Sequence, residues 1–342
     1  MSNKKLILVT GGAGYIGSHT IIDLIENSDF DIISADNFCN SSESTFDRIE
    51  NITGKKIKNY NIDLTDITTT KAIFTENKID GIIHFAALKS VPESVEKPEV
   101  YHFNNLKSLE NLLELSVKYS VKNFIFSSSC SVYGNIKELP VSENTPISPV
   151  ASPYAETKLL GEQLIEKYTR SQAIKAISLR YFNPVGAHMS GLNGEDCKKL
   201  TNLVPIICKT AIGKNDVLTI YGNDYETRDG TCIRDYIHVS DIAHAHILAL
   251  KVLFEKEDNS YYDVINLGSG EGVSVLELVD AFEKSTGIKV NKEIGPKRPG
   301  DVEAIYSDCT KSKKVLGWEA KHSIEDMMTS AWKWENYLAN HQ

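Results

Sequence analysis

The chain has 342 residues, of which 41% are hydrophobic and 24% charged, the composition of an ordinary soluble globular protein able to bury one large core or two modest ones. Its formal net charge of −9 argues against non-specific nucleic-acid binding, while a local basic pocket could still hold an anionic metabolite. No apolar run approaches membrane-spanning length, and Lys4 and Lys5 lead directly into a strand without an apolar leader, so a cytoplasmic protein is expected.

In chain order, the first signal is Lys5 to Thr10, a buried strand, followed by the turn TGGAGYIG from Thr10 to Gly17. A glycine-rich turn alone is more often only a turn, because glycine reaches positive φ without steric cost. Here it is followed by a helical pattern from Tyr15 to Asn27, with Ile16, Ile21, Ile22, Leu24 and Ile25 at helical spacing. A second strand, Asp31 to Ala35, then ends against Asp36, about 20 residues beyond the last glycine, where an acid can accept hydrogen bonds from the hydroxyls of an adenosine ribose. Strand, glycine turn, helix and acid together predict a dinucleotide site: backbone N–H groups and the helix N-terminus hold a pyrophosphate. The carboxylate of Asp36 repels a 2′-phosphate and so favours NAD over NADP, and Asn37 adds no basic group to reverse this.

Further strands are predicted at Ile57–Ile62, Gly81–Ala86, Lys122–Ser127 and Ala176–Tyr181, with helices at Thr69–Asn77, Pro98–Tyr119 and Ser152–Gln172. This alternation is the mark of an α/β, doubly wound parallel sheet of Rossmann type. After Asn183 the rhythm breaks into loops rich in Gly, Asn and Asp. The expected division is therefore a dinucleotide-binding domain over 1–182 and a smaller mixed α/β substrate domain over 183–342, some of whose segments return to the first. Trp332 and Trp334 in the last helix read as packing. The six cysteines, at 39, 130, 197, 208, 232 and 309, form no C-x-x-C pair, so neither a disulfide framework nor a zinc site is expected. His244 and His246 stand two apart in a helical stretch and point to different sides.

Ligands of open α/β sheets sit beyond the carboxyl ends of the strands. Three such ends carry informative residues: HFAALK with Ala86 and Lys89, IFSSSCSVYG with Ser127 to Ser129, and RYFNP with Tyr181, Phe182 and Asn183. The stretch SPYAETK places Tyr154 and Lys158 four apart, on one face of the helix that follows Ser129. That spacing is common by chance; its position after Ser129 gives it weight. A tyrosine of ordinary pKa about 10 is a poor base near neutrality, but an ammonium and a positively charged nicotinamide beside it would stabilise the phenolate. Ser129 would share the proton of a substrate hydroxyl. The set suits hydride removal from a secondary alcohol.

These features, in this order, resemble the extended short-chain dehydrogenase/reductase superfamily. The runs HFAALKSVPESVEKP, FSSSCSVYG, LRYFNPVGAHMSGLNGED, IYGNDYETRDGTCIRDYIHVSDIAHAH and NLGSGEGVSV narrow the resemblance to the UDP-glucose 4-epimerases of galactose metabolism, from Lys4 to about Trp334. The resemblance implies interconversion of UDP-galactose and UDP-glucose through a transient 4-keto sugar, with NAD retained throughout. It implies Tyr154, Lys158 and Ser129 as the catalytic set. It assigns to NAD the residues Gly11, Gly14, Tyr15, Ile16 and Gly17; Asp36, Asn37, Asp63 and Leu64; Phe85, Ala86, Lys89 and Asn104; and Tyr154, Lys158 and Tyr181. For Asp63 a helix N-cap is an equally good reading.

To the UDP-sugar the resemblance assigns Ser129, Tyr154, Asn183, Asn202, Arg234, Arg298 and Asp301, with Leu218 to Tyr221 along the uracil. Arginine's fork suits two phosphate oxygens; for either arginine alone a surface ion pair is the competing reading. Ile305 stands at or beside the position that limits the sugar pocket, where a large aromatic excludes an N-acetyl group and a small residue admits it; isoleucine is intermediate. Two stretches depart from the common pattern, Ala155-Glu156-Thr157 and Asn105-Leu106-Lys107-Ser108. A homodimer is also implied, through the apolar positions of Val100–Tyr119 and Leu159–Tyr168, although a core face would look identical. Rival readings are a sister 4,6-dehydratase, which needs an acid pair beside the catalytic serine where Cys130 and Ser131 stand, a decarboxylase or glucuronate epimerase, and a non-catalytic NAD-binding regulator.

Overall fold

A computed structural model describes residues 4–196, 202–298 and 301–341. A seven-stranded, wholly parallel sheet runs through it. Its strands are β1 (Leu6–Thr10), β2 (Asp31–Ala35), β3 (Lys58–Tyr60), β4 (Gly81–His84), β5 (Asn123–Ser129), β6 (Lys175–Tyr181) and, after four short strands, β11 (Tyr261–Leu267). The spatial order is β11-β6-β5-β4-β1-β2-β3. Strand order therefore reverses between β1 and β4, whose last residues, Thr10 and His84, are register partners; a crevice opens at such a switch point.

The helices on the two faces are α1 (Tyr15–Asn27), α2 (Ser44–Thr53), α3 (Ile67–Glu76), α4 (Val91–Glu96), α5 (Pro98–Lys118) and α6 (Pro153–Ser171). Ile7, Val9, Ile83, Ile125 and Ile177 point to one face and Leu8, Ile82, Phe124 and Ala176 to the other, each packed in its own apolar layer. Burial on both faces explains why these strands read as continuous apolar runs rather than alternating ones. Predicted and observed strand ends differ by a residue or two; β3 is the shortest because only Ile33 to Ala35 of β2 pair with it.

The second half contributes β7 (Asn183–Val185), α7 (Leu203–Ala211), β8 (Leu218–Tyr221), β9 (Ile233–Arg234), β10 (Tyr236–His238), α8 (Val239–Glu255), β12 (Val273–Ser274), α9 (Val275–Thr286), β13 (Lys292–Gly295), β14 (Ala304–Ile305), α10 (Thr310–Leu316) and α11 (Ile324–His341). Three of its elements return to the first half: β11 pairs along its whole length with β6, α8 packs on α1, and α10 packs on α8 and β11. The rest builds small sheets, β10-β7, β12-β9-β14 and β13-β8, over a separate core of Val204, Ile207, Phe282, Met327 and Met328. Ser274 and Glu277 form a reciprocal capping box at the start of α9, which fixes where that helix begins. Trp332 meets Phe282 edge-on and Trp334 is buried with its indole N–H on the Glu195 carbonyl, so both tryptophans pack.

Among the described residues Cys130, Cys208, Cys232 and Cys309 are free thiols; Cys197 lies outside them. No described helix is long and apolar enough to cross a membrane.

Candidate active site

The glycine turn leaves β1 at Thr10 and enters α1 at Tyr15. Gly11 adopts φ +71°, and a Cβ there would lie 2.7 Å from the Ala86 backbone N; the turns after β1 and β4 approach this closely only because Gly11 has no side chain. A Cβ on Gly17 would lie 2.2 Å from the Gly11 carbonyl oxygen, so helix and turn are packed backbone on backbone. The N-cap of α1, Gly14, offers no side-chain acceptor and the first turn has no acid. Its N–H groups are thus left for an anion.

Asp36 lies at the carboxyl end of β2. One of its oxygens accepts from the Ala13 N–H at 2.9 Å, the other from the Phe38 N–H and the Ser41 hydroxyl, both at 2.9 Å. These bonds fix the carboxylate's direction and use three of its roughly four acceptor positions. Asp63 accepts from the Thr65 N–H and hydroxyl at 2.9 and 2.8 Å, an Asx turn; the N-cap of α3 is Asp66 instead. The N-cap alternative for Asp63 therefore does not describe its geometry.

A cleft of about 410 Å³ follows the carboxyl ends of these strands, within the range of small-molecule sites. Gly11, Gly14, Tyr15, Ile16 and Gly17 line one wall; Asp36, Asn37, Asp63 and Leu64 lie at the end under β2 and β3; Phe85, Ala86, Lys89 and Asn104 follow β4; Ser129, Tyr154, Lys158, Tyr181, Asn183 and Asn202 complete it. Every residue assigned to the cofactor and every catalytic residue thus lines one cavity. A glycine cradle, an uncapped helix start and a directed carboxylate fit a dinucleotide bearing an adenosine ribose.

Within the cleft, Ser129 ends β5 and its hydroxyl oxygen accepts from Ser131 N at 3.2 Å and Ser131 Oγ at 2.9 Å. Both bonds use lone pairs, so the Ser129 proton is available to another acceptor. Ser152 caps α6, with Pro153 in its first turn, which orients the turn carrying Tyr154 and Lys158. The Lys158 Nζ donates to the Ser127 carbonyl at 2.6 Å and lies 5.8 Å from the Tyr154 ring centroid. It is only 4% exposed, and burial pulls its pKa down to about 8, with Glu162 acting in the opposite direction. Burial pushes Tyr154 up to about 12, against the Ser129 hydrogen bond and Lys89, which lower it. In the protein without cofactor burial outweighs the interactions that lower the tyrosine, and the Lys158 ammonium, expected to act on it together with the nicotinamide charge, donates to the Ser127 carbonyl.

Asn183 carries a buried Oδ1 with no hydrogen-bond partner in the structure, an acceptor facing a cleft and costly unless a donor meets it. Asn202 donates to both oxygens of Glu195, and Glu195 also meets the Lys89 ammonium at 2.8 Å. Sequence reasoning passed over Glu195, although it sits in the quoted run GLNGED.

The remaining substrate candidates do not line this cavity. Arg234 in β9 is 3.8 Å from Asp301 and donates to the Ile233 and Val302 carbonyls. Arg298 stacks on the Tyr221 ring, 3.7 Å from its centroid. Leu218 is consumed by the second core, so along β8 it is Tyr221, not the leucine side chain, that reaches the surface. Ile305 pairs in register with Arg234 and packs with Val132, Tyr133 and Phe182. Phe182 lines the cleft and so connects Ile305 to it. Beside Ser129, burial pushes the Cys130 thiol up to about 12; no carboxylate occupies positions 130 or 131.

A family model described as GDP-mannose 4,6 dehydratase matches residues 8–331. The chain is 45% identical to UDP-glucose 4-epimerase 2 of Arabidopsis thaliana, across 96% of this chain and 95% of that one. Among solved structures, UDP-glucose 4-epimerase of Stenotrophomonas maltophila, with bound NAD and formylated UDP-arabinopyranose, superposes with a TM-score of 0.95 at 40% identity, covering 99% of this chain and 100% of that one. The enzyme of Bifidobacterium longum, in complex with NAD+ and UDP, gives 0.93 at 45% identity over 99% and 100%. Strand–glycine turn–helix geometry, the Ser129, Tyr154 and Lys158 set and this near full-length similarity lead to one conclusion: the chain belongs to the nucleotide-sugar family of that model and, within it, to the UDP-glucose 4-epimerases.

Proposed function

We propose that the protein interconverts UDP-galactose and UDP-glucose at C4 with a retained NAD. The observation that carries this is the meeting of Ser129, Tyr154 and Lys158 with the glycine turn and Asp36 in a single cleft. On this reading residues 1–182, with α8, α10 and β11, form the NAD half. The remainder of 183–342 forms the UDP-sugar half, with Asn183, Asn202, Tyr221, Arg234, Arg298 and Asp301 toward the nucleotide.

When bound, NAD supplies the acceptor for the C4 hydride and its return, so there is no net redox change. Tyr154 takes the proton of the 4-hydroxyl as the C4–H bond breaks and gives it back on the return. Burial holds its pKa at about 12 in the protein alone; the Lys158 ammonium together with the positive charge of a bound cofactor would lower it. Ser129, its lone pairs committed to Ser131, donates toward the sugar oxygen. Lys158 stays an ammonium at neutral pH and holds the cleft's positive edge.

The keto sugar must turn over between the two hydride transfers, which a sugar gripped by many polar contacts could not do. Phe182 lines the cleft with Ile305 packed behind it, an apolar wall consistent with weak hold on the hexose and firm hold on the diphosphate. The size of Ile305 leaves UDP-N-acetylhexosamines as a second substrate pair to be tried. We further propose action in the cytoplasm, supported by the free thiols of Cys130, Cys208, Cys232 and Cys309, and a homodimer through the outer faces of α5 and α6, where Val100 and Phe103 of α5 are exposed.

The test is an NMR time course of purified protein with UDP-galactose, without added NAD, for wild type and Tyr154→Phe. Wild type should form UDP-glucose. The variant should hold NAD but turn over at least about 100-fold more slowly. Equal turnover of the two would remove Tyr154 from its role; no turnover by wild type even with NAD would overturn the reading.

A further inference from the structure

His246 lies on α8, fully buried, beneath the cleft rather than in it. Its Nδ1 is 2.8 Å from the Ile242 carbonyl oxygen and its Nε2 is 2.7 Å from the Tyr181 hydroxyl. Its ring also packs against Phe85, centroid to centroid 4.7 Å, and Tyr181 at 5.6 Å. Phe85 and Tyr181 both line the cleft. Burial pushes the Tyr181 pKa up, and the Ser127 hydroxyl also hydrogen-bonds the phenol and acts to lower it, as a donor to the phenol oxygen does. Burial pulls His246 down to about 4, so its ring is neutral at working pH.

The hydrogen-bond inventory assigns the tautomer. A carbonyl oxygen can only accept, so Nδ1 carries the proton; the neutral ring then has a bare Nε2, which can only accept. The Tyr181 hydroxyl must therefore donate its single proton away from the cleft, to His246. What remains of the phenol oxygen is acceptor capacity alone.

We propose that His246 is a positioning residue: by taking the Tyr181 proton and packing Phe85 it makes the Tyr181 oxygen a fixed, acceptor-only contact, selecting an N–H or O–H donor on the bound dinucleotide. This rests on the NAD reading above. Nothing in the sequence distinguished His246 from His244, which instead meets Asp23 at 3.1 Å from a half-exposed position.

The rate at which holoprotein releases NAD, with free dinucleotide trapped by a coupled dehydrogenase, tests it. Tyr181→Phe keeps the ring and removes only the oxygen; it should release NAD about tenfold faster, the loss of one buried hydrogen bond. His246→Phe should do the same, and the double variant should show no further increase, because both remove one interaction. His246→Gln, whose amide can accept from the tyrosine, should return release to within about twofold of wild type. A purely structural His246 would lower the melting temperature of His246→Phe and leave release from all variants at the wild-type rate, which overturns the proposal. So does a normal rate in Tyr181→Phe alone, whether or not His246→Phe folds. Wild-type protein that neither holds nor binds NAD would instead overturn the functional reading on which the proposal stands.

Discussion

Replacing Gly17 by alanine tests the phosphate-turn geometry with a single methyl group. Gly17 lies inside α1 with ordinary helical φ, so intrinsic propensity favours alanine there by roughly 1 kcal/mol. Against this, the new Cβ would stand 2.2 Å from the Gly11 carbonyl oxygen and 3.0 Å from Gly11 C and Gly12 Cα, where ordinary contact begins at 3.4 Å. All three atoms are backbone and cannot rotate away, so turn and helix must part by about 1 Å, at a cost of about 1–3 kcal/mol that exceeds the propensity gain. The same displacement spreads the N–H groups expected to hold the pyrophosphate. Gly17→Ala should therefore melt several degrees lower and purify with little NAD, measured by thermal unfolding and by nucleotide released on denaturation. Gly54→Ala is the control: at φ +70° but with nothing within 4 Å of its Cβ, it should lose about 1 kcal/mol of stability and keep its NAD. Wild-type NAD content and melting temperature in Gly17→Ala would refute the steric reasoning.

Other perturbations follow from the buried charges and the nucleotide half. Arg180 and Glu162 pair at 2.6 Å with both side chains 5% exposed, so Arg180→Met, which strands a carboxylate, should cost about 3–5 kcal/mol in urea unfolding. Burial holds His19 and His84 at about 3, and His238 and His246 at about 4, below the ordinary 6.5. The fold therefore keeps these rings neutral while the unfolded chain protonates them, so their contribution is complete above pH 6.5 and is lost as pH falls toward 4. Each ring contributes a slope of about 1.4 kcal/mol per pH unit; unfolding at pH 5 should take up about four protons per chain from these sites, and equal stability at pH 5 and 7 would contradict it. Arg298→Ala removes the guanidinium stacked on Tyr221 and should raise KM for the UDP-sugar about tenfold or more with kcat little changed, the mark of uniform binding.

The first half of the site was legible because its signals are local. A buried strand, a turn needing close backbone approach and an acid after the next strand are all set by neighbours within the same βαβ unit, and each appears where expected. The spacing of Tyr154 and Lys158 likewise survives from sequence to helix α6. What could not be read depends on long connections. β11 begins beyond α8, far from β6 in sequence, and its pairing with that strand closes a sheet whose local rhythm had already broken. The direction of the Lys158 ammonium is decided by the Ser127 carbonyl across the strand end, which no spacing rule contains. Glu195 bridges Lys89 and Asn202 from a loop that reads only as turn-rich sequence. Leu218 was drawn to the uracil slot by resemblance, but the alternation of β8 turns its side chain into the core.

In the proposed cycle hydride leaves C4 of the sugar and returns to the same carbon within one binding event. Incubating the purified protein with UDP-galactose carrying deuterium at C4, in ordinary water and without added NAD, tests this most directly. The expected product is UDP-glucose that retains the deuterium at C4. Product with hydrogen at C4 would show that the label had passed to solvent as a proton, and would contradict the mechanism built on Tyr154 and a retained cofactor.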